Sequence, residues 1–109
     1  MFIDDCIKGT KKIFESNCRQ VLNIGSEEQV SINQMINIIE EIGSYKVEKN
    51  YQLNMPKGVR GRSSNNDLVR EKLGWDFETS LRSGLKITYN WIEKEIAKKL
   101  NKNIFTIKY

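Results

Sequence analysis

The chain has 109 residues, 39% hydrophobic and 29% charged, with a net charge of +4; this is the profile of one ordinary globular domain, not of a disordered or membrane polypeptide. It has no histidine and only two cysteines, Cys6 and Cys18, which excludes Ser-His-Asp and Cys-His nucleophile arrangements and leaves no pattern for a structural zinc. No apolar run approaches the roughly 18 residues needed to span a bilayer, and Asp4 and Asp5 stand where a secretory leader carries lysines, so a cytoplasmic chain with buried free thiols is expected.

Residues 4–16 (DDCIKGTKKIFES) begin with acids and end among lysines, as the helix macrodipole favours, and predict a first helix with Asp4 and Asp5 at its N-terminus. Residues 20–24 (QVLNI) are short and apolar and predict a buried strand, which Gly25-Ser26 then turns. That turn has the position of a phosphate loop, but no G-x-G-x-x-G or Walker pattern follows. Glu27 and Glu28 read most simply as solvated, as do Glu40 and Glu41.

Ser31 followed by Gln34 is a capping-box pattern. It opens a helix whose stripe of Ile32, Met35, Ile36, Ile39 and Ile42 predicts a core face, with Gly43 as its stop. Residues 46–53 (KVEKNYQL) alternate apolar and polar and predict a second strand. After Pro56 comes the loop KGVRGRS, residues 57–63, then a two-turn helix from Asp67 to Leu73, capped by Asn65 or Asn66 and stopped by Gly74. Residues 79–100 form a long helix with Leu81, Leu85, Tyr89, Ile92, Ile96 and Leu100 on one face, while Tyr89 and Trp91 read as packing residues. The tail 101–109 reads as a stray strand or as disordered. The expected class is therefore α/β, or an α+β-like fragment: a few short strands with about four helices.

Charge is unevenly spread. Residues 1–43 carry a net −3, residues 44–74 a net +4 and residues 75–109 a net +3. The positive part begins around the loop that bears Arg60 and Arg62. Arginine suits phosphate because its planar fork donates two parallel hydrogen bonds and stays charged. Two arginines at period two share a side if the segment is extended, and the next helix starts just beyond them. Spacing alone leaves open whether this loop holds a phosphate or only water. There is no basic face interleaved with aromatics, so nucleic acid is not expected as a partner, and neither is a membrane.

Three stretches, FIDDCIKGT, VLNIGSEEQVSINQMINII and GVRGRSSNNDLVREKLGW with SLRSGLKITYNWI after it, resemble in that order the C-terminal part of the NAD-dependent sugar-nucleotide epimerases, which are extended short-chain dehydrogenase/reductases of Rossmann type. The resemblance covers about residues 2–95. It implies that residues 1–100 are a substrate-binding region and that 101–109 are an unmatched tail. It further implies that Arg62 contacts the diphosphate of GDP-mannose or a related nucleotide-sugar, with Arg60 beside it as a second contact. NAD serves the complete family enzyme and none is expected on this chain alone. No residue here is assigned a catalytic role, because the family's Gly-rich loop, Tyr-x-x-x-Lys pair and acid/base residues are expected outside this chain. A separate N-terminal Rossmann partner, or self-association, is the corresponding expectation for assembly.

Overall fold

The structure, a computed structural model, describes residues 1–106. It contains four helices: α1 Ile3–Glu15, α2 Ile32–Gly43, α3 Asp67–Leu73 and α4 Leu81–Thr106. Among the described residues there is no strand, so the expected α/β class is corrected to all-helical. The tail is corrected too, since α4 continues through residues 101–106, and residues 107–109 lie outside the described residues.

The second expected strand shows why alternation misleads here. Val47 N–H donates to Glu40 Oε1 at 3.0 Å, Lys49 Nζ to Asn37 Oδ1 at 2.9 Å, and Tyr51 Oη to Asn33 Oδ1 at 3.1 Å. Residues 47, 49 and 51 thus meet helix residues 40, 37 and 33, running antiparallel to α2. Two residues of extended chain cover about 6.7 Å and three or four residues of helix about 4.5–6 Å, so the two periods nearly match. The period-two pattern is real, but its partner is a helix. Residues 20–24 likewise have no strand beside them among the described residues, and Val21 is 91% exposed.

Local rules account for the helix ends. Ser31 Oγ accepts from Gln34 N–H while Gln34 Oε1 accepts from Ser31 N–H at 2.7 Å, a complete capping box. The left-handed residue that ends α2 is Ser44 (φ 56°), one position past Gly43; α3 ends at Gly74 (φ 56°), where glycine carries no Cβ penalty. At the start of α3, Asn65 Oδ1 accepts from Asp67 N–H at 2.9 Å, while the Asn66 side chain makes no cap bond.

α2 packs on α4, with the rings of Tyr45 and Tyr89 6.4 Å apart and an Arg82–Glu41 ion pair between the two helices. α1 docks on the segment that leads into α4. Asp5, buried in the first turn of α1, accepts from Thr79 N–H at 2.9 Å; it is a cross-link between segments and makes no cap. Lys8 pairs with Glu78 at 3.1 Å, and the Trp75 ring lies on Gly9. Among the described residues the buried apolar side chains are few: Val69 at 1% exposure and Trp75 at 8%. The expected core stripes are only half-buried, and Ile32, Trp91, Ile96 and Leu100 are exposed. Cys6 and Cys18 are free and half-buried.

The contact between Gly9 and Trp75 sets a testable limit. A Cβ at position 9 would sit 2.8 Å from Trp75 Cζ2, so Gly9→Ala forces the buried ring to move, at about 1–3 kcal/mol. The helix-propensity gain of about 0.5–1 kcal/mol does not offset this. The thermal midpoint followed by circular dichroism is expected to fall; a rise would show that the indole retreats freely.

Candidate functional site

Arg62 lies where two adjoining cavities meet. One, of about 300 Å³, is walled by Phe2, Ser26, Glu28, Gln29 and the start of α4 at Ser80 and Leu81. The other, of about 680 Å³, is walled by Leu22 to Ser26 and by Ser63 to Asn65. Arg62 and Glu28 line both; Arg60 lines neither and is exposed. The two arginines of the loop are therefore not brought to one wall.

Behind this loop is a polar junction. Asn66 is wholly buried (0% exposed) and uses its side chain in both directions, Nδ2 donating to Gly25 O at 2.8 Å and Oδ1 accepting from Ser64 Oγ at 2.7 Å. Ser64 N–H donates to Ser26 O at 3.1 Å. Arg70, on α3, grips Glu27 with both terminal nitrogens, at 2.9 and 2.8 Å, and turns its Nε to Asp76 Oδ2 at 2.7 Å. Glu27 Oε1 also accepts from Asn66 N–H at 3.3 Å. Two amides at the entry to α3, those of Asn66 and Asp67, are thus taken by Glu27 and Asn65. Glu28 Oε2 accepts from Leu81 N–H at 2.6 Å, placing an acid on the positive end of α4.

Three glutamates read as solvated are therefore structural. Glu27 and Glu28 hold α3 and α4; Glu40 is buried at 5% exposure, accepting from Val47 N–H and pairing with Lys46. A double acid directly after a Gly-Ser turn was the only local signal, and their partners stand 39, 43 and 53 residues away for Glu27 and Glu28. Hydrogen bonds from Arg70 hold the Glu27 and Asp76 carboxyls below their ordinary range, and those same bonds push Arg70 upward. The backbone N–H of Val47, then Lys46, does likewise for Glu40.

A Tyr-x-x-x-Lys spacing does occur, contrary to expectation, at Tyr45 and Lys49. It lies past the end of α2; Tyr45 packs beside Tyr89, Lys49 donates to Asn37, and neither lines the Arg62 cavities. Nor do the residues around Gly25 fit a dinucleotide. The Gly25 carbonyl is taken by Asn66, a Cβ there would meet Ser64 Cβ at 2.6 Å, and the next helix starts only at Ile32. A dinucleotide loop needs open backbone amides running straight into a helix. Among the described residues no group of three or more metal-ligating side chains is gathered, and no helix is long and apolar enough to cross a membrane.

No family model matches the chain. Curated proteins similar to it are enzymes named for nucleotide-sugars, among them the UDP-glucuronate 4-epimerase of Thermodesulfobacterium geofontis, 32% identical over 97 residues, 87% of this chain and 30% of that protein. The chain is a homologue of the sugar-nucleotide epimerases. More particularly, it matches the C-terminal part of GDP-mannose 3,5-epimerase. It is 42% identical over 97 residues to that of Arabidopsis thaliana (89% of this chain, 26% of the relative) and 40% identical over 103 residues to GDP-mannose 3,5-epimerase 1 of Oryza sativa subsp. japonica (94% and 27%). The chain spans about a quarter of the length of these relatives.

The junction makes acid sensitivity predictable. Glu27 and Asp76 are depressed from ordinary values of 4.5 and 3.8, so their contribution is complete above those values and is lost as pH falls through the lower folded-state values. Thermal melts taken from neutral to acidic pH are expected to show a loss of stability beginning below about pH 4.5. Glu27→Gln is expected to flatten that dependence, and an unchanged acid limb in this variant would remove the junction as its cause.

Proposed function

We propose that this chain is the nucleotide-sugar-binding part of a GDP-mannose 3,5-epimerase-like enzyme, with residues 1–100 as the substrate-binding region and 101–109 outside it. The observation that carries the reading is Arg62: the resemblance of the GVRGR motif implies that it is the diphosphate contact, a reading supported by its place in the lining of two adjoining cavities. The ligand is GDP-mannose or a related nucleotide-sugar. Its diphosphate would meet Arg62 through the paired donors that suit phosphate oxygens, and Arg60, outside both linings, would act as a longer-range positive charge. NAD, which supplies hydride chemistry in the complete family enzyme, would be held by other residues, since those around Gly25 do not fit it. The isolated chain is expected to bind without turning over.

A second reading has an observation of its own. Ile87, Trp91, Ile96 and Leu100 on α4 are exposed, more apolar surface than one helix of a free-standing domain usually shows. This favours a binding module that docks on a separate Rossmann partner or associates with itself, in a cytoplasmic setting.

Titration calorimetry of the chain with GDP-mannose tests the site. Arg62→Ala is expected to weaken binding by about tenfold or more, equivalent to about 1.4 kcal/mol, and Arg60→Ala by less. Equal affinities for wild type and Arg62→Ala would remove the proposed role, and turnover of GDP-mannose by the chain would overturn the non-catalytic assignment.

A further inference from the structure

We propose that Arg70 is the positioning residue for Arg62, an inference that rests on the nucleotide-sugar reading of the Arg62 site. Among the described residues no hydrogen bond joins residues 56–62 to the rest of the chain, and Gly58 has open space around it. The first fixed point after Arg62 is Ser64. Its N–H is bonded to Ser26 O, its hydroxyl to buried Asn66, and its Cβ lies against Gly25. Gly61 packs on the Gln29 side chain but without a hydrogen bond, so the polar anchoring of Arg62 comes from the clamping of residues 63–66 to residues 25–27.

Arg70 closes that clamp. Glu27 is the far jaw, bonded to Asn66 N–H and gripped bidentately by Arg70, whose Nε is anchored in turn on Asp76. Only a guanidinium satisfies both oxygens of one carboxylate and a second carboxylate at once; an ammonium is a point charge without that geometry. Arg70 is 36% exposed, and ion pairs at such exposure add only a modest, though measurable, share of global stability. Their effect here is to remove the conformational freedom that a bound diphosphate would otherwise have to remove. Variants at position 70 should therefore lose affinity out of proportion to any loss of stability.

The experiment compares wild type, Arg70→Met, Arg70→Lys, Glu27→Gln and Arg62→Ala by calorimetry with GDP-mannose and by amide hydrogen exchange without ligand. Arg70→Met is expected to weaken binding about tenfold and to speed exchange at Ser64 and Asn66, with Gly84 in α4 unaffected; Arg70→Lys should fall between it and wild type. If Arg70→Met keeps wild-type affinity while Arg62→Ala loses it, the positioning role is overturned and the site reading stands. If Arg62→Ala also binds as wild type, or wild type does not bind, the site reading itself fails. If Arg70→Met loosens α4 as well, Glu27→Gln decides: weakened binding with α4 protected upholds the proposal, and general loosening in both variants overturns it.

Discussion

Arg70 carries one positive charge held chiefly between Glu27 and Asp76, with Asp67 of its own helix farther off at 3.4 Å, and the path of the chain around the candidate site follows from satisfying it. Its fork turns one way to Glu27, in the segment after Gly25, and the other way to Asp76, next to the buried ring of Trp75. Beside it Asn66 has lost all contact with water. A buried amide of this kind is stable only if both its donor and its acceptor are used, and Gly25 and Ser64 use them. Two segments some 40 residues apart are thereby fixed by polar geometry where few apolar side chains are buried. The same device recurs at Asp5 with Thr79 N–H and at Glu28 with Leu81 N–H. In each case a carboxylate of one segment satisfies a backbone amide that no helix would satisfy.

The four helices were legible in the sequence because each is announced by local chemistry: a reciprocal Ser31–Gln34 box, glycine at the left-handed end of α3, and an apolar repeat along α4. The two strands were not real, and alternation was the reason for expecting them. Alternation reports that one side of an extended segment faces something, but does not say what. Here Val47, Lys49 and Tyr51 face α2. The glutamates were misread for a related reason. A carboxylate bonded to an amide 39 or 53 residues away has no signature in its own neighbourhood. Arg62 was singled out by its place between glycines and by family resemblance, whereas the residues that hold its loop, Asn66, Arg70 and Glu27, were legible only as a cap, a helix surface and a solvated acid.

The structure also redistributes the charge that composition shows. Residues 44–74 carry seven basic side chains, spread along the segment with no evident focus. Three of them are compensated: Lys46 by Glu40, Arg70 by Glu27 and Asp76, and Lys72 by Glu71. Lys49 is spent on Asn37. Of the seven, four make no ion pair among the described residues: Lys49, and Lys57, Arg60 and Arg62, the last three all in the six-residue span before Ser63. Within residues 44–74 folding thus leaves three unpaired cations together on one loop, while Arg70, proposed above to fix this loop in place, is paired with carboxylates. That separation is what an anion site requires. A cation clamped by two carboxylates has little field left to offer a phosphate, and a cation left free for phosphate cannot also serve as the clamp.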